Sequence, residues 1–225
     1  MMRHTISAIL QAAVVSIALV SLAPAHAQRV ELLVKHRTVS TGPDGVTRST
    51  EFSERLIRTR DTLWISRVLP LAVHSDHDHD KGSDPHKHLD IATASRWISR
   101  TESGTIALKL VPNNEKVLVN VTQTDYENVG FDGSWAAAWS LIDPAALKRM
   151  KSAPPAGDLI TYTLTDKERN LKVVWNAKLQ LPVRVESSDK TLRRQTMVQV
   201  LGSPAALPWE KLRDFTQKDY SDYLD

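Results

Sequence analysis

Apolar and polar residues alternate along much of this chain. The clearest run is Leu159 to Thr165, where Ile160, Tyr162 and Leu164 share one side and Thr161, Thr163 and Thr165 the other. A period of two is that of a half-buried β-strand. The same pattern recurs at Val30/Leu32/Val34, Ile106/Leu108/Leu110, Val117/Val119/Val121, Leu171/Val173/Trp175, Val183/Val185 and Thr196/Val198/Val200. Turn-forming stretches separate these runs: Gly42-Pro43-Asp44-Gly45, Pro112 to Glu115, Asp166 to Asn170 and Ser187 to Lys190. Connections this short require antiparallel neighbours. The pattern predicts a mainly β fold of about eight strands, a curved antiparallel meander forming an unclosed half-barrel, with one face solvated and the other covered by short helices.

Two segments are candidates for that cover. Between residues 133 and 150, Trp135 and Trp139 are four apart, and Asp143-Pro144 reads as an N-cap followed by proline at the first helical position. Near the C-terminus, Pro208 opens a stretch through Trp209, Leu212 and Phe215 that reads as a second short amphipathic helix. Tryptophans at this spacing belong to a core rather than to a ligand cage. No solenoid-length repeat is present.

Residues 1–27 carry a short cationic start, an apolar run from Ala8 to Ala23 and small residues at Ala25 and Ala27. This predicts a secretory signal peptide cleaved after Ala27. The run is shorter than the ~20 residues that span a bilayer, and no second apolar stretch of that length follows. The expected product is one β-rich domain over residues 28–225, exported to a bacterial periplasm, with no transmembrane segment in the mature chain.

Composition narrows the chemistry. Lys and Arg number 29 against 26 Asp and Glu, a formal charge of +3, with few of the basic runs that grip a phosphate backbone, so nucleic acid is not the expected partner. The absence of cysteine excludes disulfides, thiolate catalysis and thiolate metal sites. A metal here must bind through imidazole and oxygen.

One segment has that chemistry. An insertion at about 72–90 contains His74, His77, His79, His86 and His88, five of the chain's eight histidines within fifteen residues, interleaved with Asp76, Asp78, Asp80 and Asp84. Neutral imidazole ligates zinc, copper(II) and nickel, and carboxylates complete or orient such a shell. His77 and His79, like His86 and His88, are two apart and point to one side of an extended chain. Gly82 and Pro85 allow the two arms to face each other. Zinc is the first expectation, copper(II) or nickel the next; a solvated loop with adventitious affinity is the alternative.

Signatures of enzymes are missing: no H-E-x-x-H, no G-x-S-x-G and no glycine-rich phosphate loop. His36 lies on a strand face where it could reach a cavity, but a lone histidine there reads as an edge residue with its own partners. Arg55, Arg58 and Arg60 read as a solvated strand face. The expected class is therefore a non-enzymatic binding protein with no catalytic residues.

Thr62-Leu63-Trp64-Ile65-Ser66-Arg67 and the segment Val174 to Glu186 (VWNAKLQLPVRVE) resemble two strand segments of the LolA/LolB-like superfamily of periplasmic lipoprotein carriers. The resemblance implies an unclosed antiparallel barrel whose concave apolar side, lidded by helices, holds acyl chains or another hydrophobic guest. Two functions follow as expectations. One is an exported protein with a histidine-rich divalent-metal-binding loop. The alternative is a carrier or sensor of a lipid or lipoprotein acyl chain.

Overall fold

A computed structural model describes residues 29–69, 89–113 and 115–224. The expected signal peptide, and the histidine and aspartate positions from His74 to His88, lie outside the described residues. Twelve strands form one sheet: β1 (Val30–Thr41), β2 (Thr47–Arg58), β3 (Thr62–Val68), β4 (Ser95–Arg100), β5 (Ile106–Val111), β6 (Val117–Val121), β7 (Lys151–Ser152), β8 (Leu159–Thr165), β9 (Asn170–Asn176), β10 (Leu181–Ser188), β11 (Leu192–Gly202) and β12 (Thr216–Asp219). Their order is β12-β6-β5-β4-β3-β2-β1-β11-β10-β9-β8-β7, with no closure between β12 and β7. Two meanders therefore run outwards from a central β1/β11 pairing, in register from Leu32↔Val200 to Ser40↔Leu192. The mainly β, unclosed architecture agrees with the alternation in the sequence.

The strand count and one pairing differ from expectation. β2 shows little alternation, because Thr47 to Glu51 are exposed throughout and backbone pairing with β1, from Thr41↔Thr47 to Val30↔Arg58, holds it in the sheet. β12 runs parallel to β6, Thr216↔Val117 to Asp219↔Asn120, so the sheet is mixed. The two strands are separated by almost a hundred residues of chain, ample for the crossover that a parallel pair requires.

Helical cover forms in shorter pieces than the sequence suggests. Helix α1 (Trp135–Ser140) starts at Ser134, whose hydroxyl accepts from the Ala137 N–H at 3.1 Å, and stops at Leu141, which turns left-handed at φ 61°. Helix α2 (Pro144–Leu147) has the expected Asp143 cap, accepting from the Ala145 N–H at 2.9 Å, with Pro144 in the first turn. The C-terminal candidate is only a 3-10 turn, Pro208–Lys211.

Contrary to the expectation of one solvated face, both faces of the β2–β6 half are covered. On the first face, Leu32, Val34, Leu56, Leu63, Ile98, Leu108, Leu110 and Val119 pack beneath Tyr126, Val129, Phe131 and the partly buried Trp135 and Trp139. On the reverse face, Ile57, Trp64, Val111 and Leu118 pack beneath Leu207 and Leu212. β6 explains the difference, because Val117-Leu118-Val119-Asn120-Val121 places apolar side chains on both sides of the pleat. A third cluster seats α2 on the other half, where Leu147 meets Val173 and Trp175.

Candidate functional site

Beneath the helices Tyr126, Val129, Phe131, Trp135 and Trp139 pack onto the apolar side chains of the sheet. Arg58 closes this packing. This residue is 3% exposed; its guanidinium donates to the Trp139 carbonyl at 2.9 Å and to the Leu179 carbonyl, and lies 3.9 Å from the Trp139 ring centroid. Burial pulls its pKa down to about 10, so it remains charged at neutral pH. The solvated reading of Arg55, Arg58 and Arg60 thus fails for the middle member. Arg55 reaches Glu31 at 2.5 Å from an exposed position, whereas Arg58 pairs with Leu63 on the packed face.

Further along the same face the lining turns polar. His36, Phe52, Glu54 and Thr196 meet across β1, β2 and β11, since His36 is registered against both Phe52 and Thr196. The imidazole stacks on Phe52 at 4.6 Å between centroids, its Nδ1 lies 3.2 Å from the Thr196 hydroxyl, and its Nε2 lies 3.3 Å from a Glu54 carboxylate oxygen. That last approach is not an aligned hydrogen bond and is an ion pair only when the imidazole is protonated. The other Glu54 oxygen accepts from Arg96 at 2.9 Å, while Arg67 stacks over Phe52 at 3.6 Å. Burial alone would raise the Glu54 pKa, but contact with His36 and the charges of Arg96, His36 and Arg67 outweigh it and hold the carboxyl below its ordinary value. A cavity of about 170 Å³ adjoins Glu54, Arg67 and Arg96. His36 therefore has partners, as the sequence suggested, though on a central strand rather than an edge.

Larger openings lie on the reverse face. One groove of about 750 Å³ is bordered by Arg37, Val39, Thr163, Lys172, Glu186 and Arg193, among others. A second, of about 720 Å³, is bordered by Lys35, Arg37, Val68 and Met197 of the reverse face, by Leu69, and at its margin by His36, Phe52 and Arg67 of the first face. Arg37 and Gln195 border both, so the two adjoin. Register explains which residues gather there. Val68, Ser53, Lys35, Met197, Arg184 and Val174 form one row across six strands. The adjacent row is Glu51, Arg37, Gln195, Glu186, Lys172 and Thr163. Val68 and Met197 are 47% and 48% exposed, apolar side chains that burial under the C-terminal segment does not reach.

Among the described residues no group of three or more histidine, aspartate or glutamate side chains is arranged to hold a metal ion, and no helix is long and apolar enough to cross a membrane. Sequence reasoning missed the reverse-face grooves, because they are assembled from strands far apart in the chain; the one available signal was the pairing of apolar and basic positions in Val34 to Val39.

No protein-family model matches the chain, and no curated protein does. Several solved structures are similar in arrangement. A structure of PNGF-II matches 86% of this chain at 10% identity and a TM-score of 0.39, and the chain spans about a third (32%) of that protein's length. A LolA superfamily protein of Nitrosomonas europaea matches 81% of this chain and 89% of its own, at 8% identity and a TM-score of 0.35. A DUF1329 family protein from Desulfovibrio piger matches over the same shares at 7% identity and a TM-score of 0.35. The superfamily that the two strand segments resemble is thus among the matched structures. At these identities and scores the likeness bears on no residue or ligand of this chain.

Proposed function

We propose that this chain is a non-enzymatic binding protein that accommodates a hydrophobic or amphiphilic guest, such as a lipid or a lipoprotein acyl chain, along the reverse face of its sheet. The supporting observation is the adjoining pair of grooves that share Arg37 and Gln195, with Val68 and Met197 exposed beside the second. Grooves of several hundred cubic ångströms have the size of a small-ligand site; the second gathers the apolar Val68, Leu69 and Met197, and the first is lined mostly by polar and charged side chains. The resemblance to lipoprotein carriers implies the same class of guest but puts it beneath the helices, where Trp139, Phe131 and Val129 now stand. The test is displacement of a bound apolar dye by fatty acid, together with mass spectrometry of lipid copurifying with the protein. Absence of both displacement and copurifying lipid overturns the reading.

A second function rests on sequence alone. The concentration of His74, His77, His79, His86 and His88 among aspartates favours binding of a divalent metal, zinc first and copper(II) or nickel next. Ligating imidazoles must be neutral, so affinity should fall as pH drops through ~6.5. Calorimetric titration of the parent and of a variant with His77, His79, His86 and His88 changed to alanine tests it; equal affinity in the two overturns it. Export to the periplasm is the accompanying proposal. Mass spectrometry of protein from a periplasmic extract should find a chain starting at Gln28, and a retained Met1 overturns that.

A further inference from the structure

The reverse face carries more positive charge than its own carboxylates balance. Two of the carboxylates on it are each engaged: Glu51 by Arg37 at 3.1 Å, and Glu186 by Arg184 at 2.6 Å and by the Gln195 amide at 3.2 Å. Lys172 and Arg193, which border the first groove, and Lys35, which borders the second, have no carboxylate partner among the described residues. Lys35, Lys172 and Arg193 thus give the open face around the grooves a local positive surplus. Like charges gathered on a sheet face repel one another, and a groove with a surplus of one sign attracts the opposite sign.

Apolar and cationic walls are also separated along the strands. Arg193 and Met197 both belong to β11, four residues apart, which is about 13 Å at the rise of an extended strand. Arg37, shared by the two grooves, stands at their junction. Lys35 lies between Ser53 and Met197 in the apolar row, where its methylene stem can line the groove while the ammonium stays in water.

On the reading that the grooves hold the guest, we propose that this guest is a single anionic lipid, its phosphate-bearing headgroup held by Lys172 and Arg193 and its acyl portion lying along Val68, Leu69 and Met197. The headgroup is recognised by charge and by the multiple donors of the Arg193 guanidinium. A zwitterionic lipid of the same chain length carries a cation that these residues repel.

Calorimetry of the full chain with submicellar dihexanoyl phosphatidylglycerol, dihexanoyl phosphatidylcholine and inorganic phosphate tests this. Phosphatidylglycerol should bind about tenfold more tightly than phosphatidylcholine, with an advantage that shrinks as salt is added. The paired substitution Lys172→Gln and Arg193→Gln should remove that advantage and leave phosphatidylcholine binding unchanged. Both positions are exposed, so the fold is retained, and circular dichroism of the variant checks it. Equal binding of the two lipids by the parent, or an undiminished preference in the variant, overturns the headgroup assignment while leaving the guest reading intact. Binding of neither lipid overturns both. Inorganic phosphate binding as tightly as phosphatidylglycerol makes this a free-phosphate site and overturns the assignment to lipid.

Discussion

Arg58 lies beneath Trp139, 3.9 Å from its ring centroid, and donates to that residue's own carbonyl at 2.9 Å. In return the Trp139 indole N–H donates to the Thr59 carbonyl at 2.9 Å. The end of β2 and the end of α1 are thus joined by reciprocal polar contacts over an apolar interior. The same guanidinium also satisfies the Leu179 carbonyl, which ties the β9–β10 turn to the opposite half of the sheet.

Replacing Arg58 with alanine should lower stability by about 3 kcal/mol, since it leaves two carbonyls without their donor and opens a void under Trp139. Lysine should not restore the loss, because one ammonium on a flexible stem does not reproduce the planar fork. Urea unfolding of the three proteins measures it; an alanine variant as stable as the parent would refute the clamp.

Glu54 makes stability depend on pH at the acid end. A carboxyl whose native pKa lies below its unfolded value of about 4.5 stabilises the fold fully above that value, and the contribution is lost as pH falls through the native one. Glu54→Gln should cost about 2 kcal/mol at pH 7. The gap between parent and variant should narrow steadily below pH 4.5, and a gap that is constant down to pH 3 would contradict the assignment.

Gln180 adopts φ 52° in the exposed turn before Leu181. That left-handed conformation strains a residue with a Cβ by roughly 1 kcal/mol, and glycine relieves it. Gln180→Gly should therefore raise the thermal midpoint by a few degrees. Scanning calorimetry showing a lower midpoint would count against this.

The apolar side of the grooves makes its own prediction. Val68→Glu and Met197→Glu place a charge at positions already about half exposed, 47% and 48%, so unfolding free energy should change by less than ~0.5 kcal/mol. Binding of a fatty-acid probe should fall by tenfold or more. A probe affinity untouched by both substitutions would place the guest elsewhere.

Alternation by itself determined that the chain is mainly β, and it located Val30–Val34, Ile106–Leu110, Leu159–Leu164 and Leu171–Trp175 on strands, because a strand half-buried in its sheet must repeat every two residues. Local residue types also marked Asp143 to Pro144 as a helix entry, whereas the Ser134 cap of α1 emerged only from the structure. Alternation missed β2 and the parallel β12, whose places come from backbone pairing and chain return, which no side-chain period records. The buried Arg58 was illegible for a related reason: in sequence it is one of three neighbouring arginines, and only the packing of α1 and the β9–β10 turn, about 80 and 120 residues away, decides which one leaves water. The grooves follow the same logic. Lys35, Arg37, Lys172, Arg193 and Met197 become neighbours only when β1, β9 and β11 are brought into register, so the charge and apolar surface that define the candidate site are properties of the tertiary structure.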